Sequence, residues 1–190
     1  MTTKSIFSCA FAKLWFFWII LLLFCYSCSK DTADPSYHIT CKVDGAPVKF
    51  NAKCTGYIEY GSGEKEVAVY GYTAPNDPAS AIGFMIINDP GRDSITAGDY
   101  TDASTSFQLL GTYEPKVDDA STDYASGTEV YKDATDAGFN ITNHLNVTIT
   151  SITQKIIKGK FSGDFFRYVD DIQTSEKVSV TDGDFYVKIQ

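Results

Sequence analysis

Residues 145–189 read LNVTITSITQKIIKGKFSGDFFRYVDDIQTSEKVSVTDGDFYVKI, and this stretch decides the fold class. Apolar and polar residues alternate along LNVTITSI (145–152) and KIIKGKFSGDFF (155–166), with Thr153–Gln154 between them. Such alternation is typical of β-strands that bury one face, because successive side chains point to opposite faces of a sheet. The stretch therefore predicts two strands joined by a short turn.

The end of the chain carries the strongest turn signal. The segments VSVT and DFYVKI are separated by Asp182–Gly183, and Asp-Gly readily adopts the positive φ angles of a type I′ turn. We therefore predict a hairpin in which Val180 pairs with Phe185. The next pair on the same face would be Val178 with Val187.

The same alternation recurs upstream, between turn signals. The strand-like segments are ITCKV, VKFNAKCTGY, EVAVYGYTA (66–74), AIGFMII (81–87), SITAGDYT (94–101) and FQLLGTY (107–113). AIGFMII is continuously apolar, as a strand buried on both faces would be. Some nine to eleven short strands predict an all-β fold, an antiparallel β-sandwich forming one domain over residues 37–190. A lipocalin-like β-barrel is the alternative, and it would require matched strands, tilt and shear.

One segment breaks this pattern. Residues 114–138, EPKVDDASTDYASGTEVYKDATDAG, carry seven acidic residues and two lysines among small polar ones. No window of the chain shows a convincing helical stripe, so we interpret this segment as a long acidic surface loop. Long loops often carry function.

The N-terminus differs from the rest of the chain. Residues 14–27, LWFFWIILLLFCYS, contain no charge but are shorter than the roughly 20 residues of a membrane-spanning helix. Ser27 precedes Cys28, and the polar SKDTADP follows. This pattern resembles a bacterial lipoprotein signal, in which the cysteine becomes the acylated first residue. It implies a signal peptide over 1–27, lipid attachment at Cys28, a tether over 28–36 and anchoring to the outer membrane. An uncleaved anchor is the alternative.

Charge excludes one class of partner. The chain has 16 Lys and Arg against 24 Asp and Glu, a formal net charge of −8. Nucleic-acid binding requires a basic surface that neutralises phosphates. We therefore expect no nucleic-acid partner.

Two cysteines follow Cys28 in the exported part of the chain. Alternation places Cys41 and Cys54 on the same side of neighbouring segments. Because exported proteins fold under oxidising conditions, we predict a disulfide between them. Two buried free thiols are the alternative, and a metal site is disfavoured because two cysteines supply too few ligands.

Signatures of known catalytic chemistry are missing. The chain has no HExxH, GxSxG or P-loop motif, and its two histidines, His38 and His144, are distant in sequence. Carboxylates are numerous, so a carboxylate-based glycan hydrolase is kept as an alternative. Asp182 and Asp184 bracket a turn glycine and are better explained by turn chemistry. No catalytic residue is assigned.

Acidic residues also raise the question of calcium, which binds oxygen ligands in loops. The candidate ligands are Asp118, Asp119 and Asp123 in the acidic loop, and Asn88, Asp89 and Asp93 in the NDPGRD segment. Neither group matches an EF-hand, and a solvated acidic surface is the favoured interpretation. We predict no metal and no other cofactor.

Several tyrosines could stack on a ligand. The candidates are Tyr70, Tyr72, Tyr124 and Tyr131. Tyr70 and Tyr72 share one face of a predicted strand. The alternative is that these are ordinary strand aromatics whose hydroxyls reach water.

The segments that carry the strand pattern also resemble a known family. ITSITQKIIKGKFSGDF, VSVTDGDFYVKI and CKVDGAPVKF resemble the strand and turn signatures of uncharacterised Bacteroidota outer-membrane lipoproteins. The resemblance implies kinship in fold and supplies no reaction. We predict a non-catalytic, lipid-anchored protein of the cell envelope that binds a glycan or an envelope protein. A small apolar-ligand carrier is a further alternative, if the fold is a closed barrel.

Overall fold

The computed structural model describes residues 37–61, 64–76, 79–88, 94–104, 106–117, 119, 123–170 and 172–190. The predicted signal peptide (1–27), Cys28 and the tether (28–36) lie outside the described residues. The described residues form eleven strands and one helix: β1 His38–Val43, β2 Ala46–Phe50, β3 Ala52–Gly61, β4 Glu64–Tyr72, β5 Ala81–Asn88, β6 Gly98–Thr101, β7 Phe107–Glu114, β8 Tyr124–Gly127, α1 Thr128–Asp136, β9 Asn146–Ile152, β10 Ile156–Val169 and β11 Ile172–Ile189. The predicted all-β class is confirmed.

All eleven strands belong to one sheet. Their order is β2-β1-β11-β3-β4-β5-β7-β8-β10-β9-β6, and β10 also pairs with β11. The pairing is antiparallel except between β11 and β3, where Lys188 and Ile189 run parallel to Thr55 and Gly56. The link between β8 and β10 is equally short, with two residue pairs.

The sheet folds over on itself between these two short links. Phe84 of β5 lies 5.5 Å from the ring of Phe161 on β10 and 4.9 Å from that of Phe185 on β11. Because neither strand pairs with β5, these contacts cross the space between two parts of the sheet that face each other. We call β3, β4, β5, β7 and β8 layer 1, and the remaining six strands layer 2. The arrangement is sandwich-like, as predicted.

The core fills the space between the layers. Its largest fully buried side chains are Phe50, Phe165, Phe166, Phe185, Ile39, Ile82, Ile86, Ile95, Leu145, Ile149, Ile157 and Val67. Alternate residues of β4 and β5 contribute to it, including Val67, Val69, Ile82 and Phe84. The other residues of these strands consequently point to the outer face of layer 1.

The predicted hairpin at Asp182–Gly183 is wrong. Residues 172–189 form one continuous strand, β11, which pairs with β10 on one side and β1 on the other. Asp182 has a φ of 52°, and the register shifts there against both neighbours, as in a β-bulge. Because the bulge adds one residue, Val180 and Phe185 both face the core although they are an odd number of positions apart. A two-residue turn between two strands would give the same spacing of apolar residues.

The tight turn lies instead at Asp44–Gly45, between β1 and β2. Both residues have positive φ, 48° and 81°, as a type I′ turn requires. The predicted turn at Thr153–Gln154 is also present, because Ile152 of β9 pairs with Ile157 of β10. These two connections follow the local sequence.

The acidic loop is only partly a loop. Residues 124–136 form β8 and α1, and α1 buries Val130, Tyr131 and Ala134 against the core. The helix has nine residues, about two and a half turns, so its apolar stripe is too short to stand out among polar neighbours. The prediction of a surface excursion over all of 114–138 is therefore wrong for this half.

Candidate functional site

Apolar and tyrosine side chains line part of the outer face of layer 1. Tyr57, Ala68, Met85 and Leu110 form one row across four strands, and Tyr70 and Gly83 lie in the next. Leu110 is 40% exposed. We call this surface the apolar face; its members are Tyr57, Ala68, Tyr70, Tyr72, Gly83, Met85, Ile87 and Leu110.

Three tyrosines at one side of the apolar face form a connected cluster. The rings of Tyr57 and Tyr70 stack at 5.6 Å, and Tyr72 meets Tyr70 edge-on at 6.0 Å. Tyr57 donates a hydrogen bond to Gln190 Oε1 at 3.1 Å, which leaves Tyr70 to donate to Tyr57 at 2.6 Å. Burial, together with this hydrogen bond, raises the pKa of Tyr70, so its hydroxyl keeps its proton at physiological pH.

A groove of about 180 Å³ lies beside this cluster. Its lining residues are Ala68, Val69, Tyr70, Gly83, Phe84, Met85, Leu110 and Thr112. Gly83 forms its floor: a Cβ there would lie 3.1 Å from the Tyr70 Cβ and would occupy the hollow. Only Tyr70 and Thr112 bring side-chain hydroxyls to the groove, so its chemistry suits an apolar group.

Two carboxylates border the apolar face. Glu59 of β3 pairs directly with Glu66 of β4, and Glu66 pairs with Ile87. Like charges directly opposite each other on neighbouring strands are destabilising. Neither glutamate forms an ion pair within the described part of the chain, so the described residues leave both carboxylates unpaired.

The outer face of layer 2 has the opposite character. His38 contacts Asp184 at 2.9 Å, and Lys42 contacts Asp182 at 2.8 Å. The ammonium group of Lys158 lies 4.2 Å from the centre of the Tyr186 ring. These polar groups contact one another across strands, so this face is more polar than the apolar face.

His144 forms the second histidine–aspartate pair. Its Nδ1 lies 2.7 Å from Asp102 Oδ2, and the Asp102 side chain is 6% exposed. A carboxylate and the imidazole that it orients in this way are two of the three members of a nucleophilic triad. Within the described residues no hydroxyl hydrogen-bonds to His144, so the pair by itself provides no nucleophile.

A buried ion pair fixes the segment before β9. The fully buried Asp164 accepts hydrogen bonds at Oδ2 from Lys177 Nζ at 2.6 Å and from the amides of Thr142 and Asn143 at 2.8 and 3.0 Å. Lys177 also donates to the Asn140 carbonyl. Burial by itself raises the pKa of Asp164, but the bonds from Lys177 and from Thr142–Asn143 outweigh it and hold the pKa below 3.8. The arrangement is structural.

The candidate tyrosines are separated by the fold. Tyr70 and Tyr72 lie together on the apolar face. Tyr124 lies elsewhere and donates to Glu176 at 3.3 Å. Tyr131 is 3% exposed and bonds to Ser126 and to the Asp164 carbonyl inside the protein, so it cannot stack on a ligand.

The acidic residues form no calcium site in the part of the chain that the structure describes. Asp118, Asp89 and Asp93 lie outside that part, and no group of three or more possible ligands occurs within it. Asp119 contacts Lys116 at 3.5 Å. Burial and the nearby charge of Asp119 raise the pKa of Asp123.

The predicted disulfide is absent, and Cys41 and Cys54 are free thiols. The residue paired with Cys41 is Val48 of β2, whereas Cys54 lies on β3, beyond the break at Asn51. Cys54 donates a hydrogen bond to the Phe50 carbonyl at 2.7 Å. Burial raises the pKa of Cys41 to about 12 and that of Cys54 to about 11, so both are unreactive at neutral pH.

The sequence reasoning missed most of the apolar face. The sequence pattern does not indicate its members Gly83, Met85 and Leu110. Nor does it indicate the bordering residues Glu59 and Glu66. The available signal was the continuous apolar run AIGFMII, which predicts a strand covered on both faces. In the structure its outward residues, Met85 and Ile87, are only half-buried.

Within the described residues, no helix combines the length and hydropathy needed to cross a bilayer. No protein-family model, curated protein or solved structure matches the chain.

Proposed function

We propose that this chain is a lipid-anchored cell-envelope protein that binds another envelope protein through the apolar face, without catalysis. The main support comes from strand β5, which has apolar residues on both of its faces. Its inward residues Ile82, Phe84 and Ile86 are buried in the core, while its outward residues lie on the apolar face. A partner that covers the outward residues would gain about 25 cal/mol for each Å² of apolar surface removed from water. The largest contiguous apolar patch of a typical monomer measures about 300–600 Å² and is often functional.

The N-terminal pattern supports the location. Acylation at Cys28 would hold the domain at the outer membrane, because several acyl chains together give stable anchoring. The tether over 28–36 would then let the domain reach a neighbouring protein. Replacing Cys28 with alanine should abolish lipid labelling and release the chain from the membrane.

The groove favours protein over carbohydrate. A sugar ring presents several hydroxyls, and each one that is desolvated without a hydrogen-bond partner is costly. The hydroxyl of Tyr70 is already engaged with Tyr57, which leaves Thr112 as the other side-chain hydroxyl of the groove. The glycan hydrolase stays a prediction that no contact of the apolar face favours. The small-ligand carrier also stays a prediction, because the groove, at about 180 Å³, is smaller than the roughly 300 Å³ at which sites for drug-sized ligands begin.

Site-specific photo-cross-linking in the producing cells tests the proposal. A photoreactive residue at Leu110 should give a discrete cross-linked adduct with an envelope protein. The matched control is Lys160, which is exposed on the outer face of layer 2 and should give none. Equal adducts at both positions, or no adduct at Leu110, would overturn the proposal.

A further inference from the structure

The size of the apolar face limits what it can bind. Four strands about 4.8 Å apart and about 23 Å of strand length give roughly 400 Å². A stable interface between globular proteins buries about 800 Å² on each partner. The apolar face is therefore suited to an extended segment of a protein rather than to a second globular surface.

The groove indicates what one part of that segment must be. Its volume of about 180 Å³ is below the roughly 300 Å³ at which sites for drug-sized ligands begin. One aliphatic or aromatic side chain fits such a space. It would contact Met85, Leu110 and the flank of the Tyr70 ring.

The two carboxylates indicate that the segment also carries a cation. Glu59 and Glu66 are opposed across β3 and β4, in the row next to Ala68 and Met85 along the strands. Two residues of strand separate neighbouring rows, about 7 Å. A cation placed there would relieve the repulsion between the two carboxylates and would lie within reach of a side chain in the groove.

We propose that the apolar face binds an extended protein segment that places an apolar side chain in the groove beside Gly83 and a Lys or Arg over Glu59 and Glu66. This inference rests on the proposed function and specifies its partner. The apolar side chain supplies the burial, and the cation selects the segment and sets its direction. An acidic segment would meet like charge at the same edge and would be rejected.

Chemical-shift titration of the ¹⁵N-labelled full-length chain in detergent micelles tests the inference. The probe is the blocked hexapeptide Lys-Ser-Leu-Ser-Leu-Ser, whose Lys and Leu residues share one face when extended. It should shift the amides of Gly83, Met85 and Leu110. The same peptide with Glu in place of Lys, or with Ser in place of both Leu, should bind at least several-fold more weakly.

Variants of the chain separate the two contributions. Glu59→Gln and Glu66→Gln should each weaken binding of the lysine peptide about two- to fivefold, as for exposed ion pairs, and 0.5 M salt should do the same by screening. Glu129→Gln, on the exposed side of α1, is the matched control and should change nothing. Leu110→Ser should weaken binding of both charged peptides.

Equal binding of the lysine and glutamate peptides, or shifts confined to layer 2, would overturn the inference. If neither peptide binds while Leu110 still cross-links in cells, the proposed chemistry of the partner is wrong and the proposed function stands. If the Leu110 cross-link is absent as well, the proposed function fails with it.

Discussion

Replacing Asp164 with asparagine should destabilise the domain more than any other isosteric change to a carboxylate in the ion pairs described. The Asp164 side chain is fully buried, and the Lys177 side chain is 24% exposed. Removing one partner of a buried ion pair costs about 3–5 kcal/mol, because the remaining charge is left uncompensated. Lys177 keeps its bonds to the Asn140 carbonyl and to Thr142 Oγ1, so we expect the lower end, about 3 kcal/mol.

This loss should be measured by urea and thermal unfolding of the full-length chain in detergent. For a domain of this size, about 3 kcal/mol corresponds to a fall in Tm of about 6–12 °C. The double variant Asp164→Asn/Lys177→Met should recover part of the loss, because it removes the orphaned ammonium together with its partner. Asp182→Asn is the control: its carboxylate pairs with Lys42 at the surface, and its loss should leave the midpoint unchanged.

A loss below about 0.5 kcal/mol for Asp164→Asn, within the range of ordinary surface substitutions, would show that the buried ion pair contributes little to stability. The same would follow if the double variant lost more unfolding free energy than the two single variants lose together.

Three further changes test the Asp164 ion pair, the packing of β10 on β11 and the two cysteines. Because the folded pKa of Asp164 lies below 3.8, its stabilising contribution is fully present above that pH and is lost as pH falls through the folded value. The stability difference between the native chain and Asp164→Asn should therefore shrink in acid, and a constant difference down to about pH 2 would contradict this. Gly183→Ala should cost about 1–3 kcal/mol, because its Cβ would overlap the Phe161 carbonyl; unchanged urea unfolding would contradict the close packing of β10 on β11. Cys41 and Cys54 should be alkylated only after unfolding, and a disulfide-linked peptide in mass spectrometry of the unreduced chain would show that the two thiols do pair.

The strands were predictable because their signal is local. Alternation along 145–152 and 155–166 corresponds closely to β9 and the first part of β10. The error at Asp182–Gly183 has a physical cause: a type I′ turn and a one-residue bulge both use a residue with positive φ and both shift the buried positions by one. The choice between them depends on β1, whose residues His38–Val43 pair with Val180–Tyr186 of β11, far away in the sequence.

The helix α1 was not predictable by the same means. Only Val130, Tyr131 and Ala134 are buried along it, and the surrounding acids and threonine favour a loop. Its stability comes from tertiary contacts, including the bond from the Tyr131 hydroxyl to the Asp164 carbonyl at 2.8 Å. Tertiary packing of this kind overrides local propensity.

The apolar face was only half visible in the sequence. Alternation does place Tyr70 and Tyr72 on one side of β4. However, the pairing of β4 with β5, and of β5 with β7, decides that Met85 and Leu110 join them. Strand order is a long-range property, so neither the groove nor the juxtaposition of Glu59 with Glu66 follows from periodicity.

If a partner covers the apolar face in the envelope, a thiol placed there should be shielded from reagents. This shielding is measured by the rate of thiol labelling at Leu110→Cys in isolated envelopes and in the purified full-length chain, with Lys160→Cys as the reference. Leu110→Cys should be labelled much more slowly in the envelope than after purification, whereas Lys160→Cys should react equally in both. Equal rates for Leu110→Cys in the two preparations would contradict this.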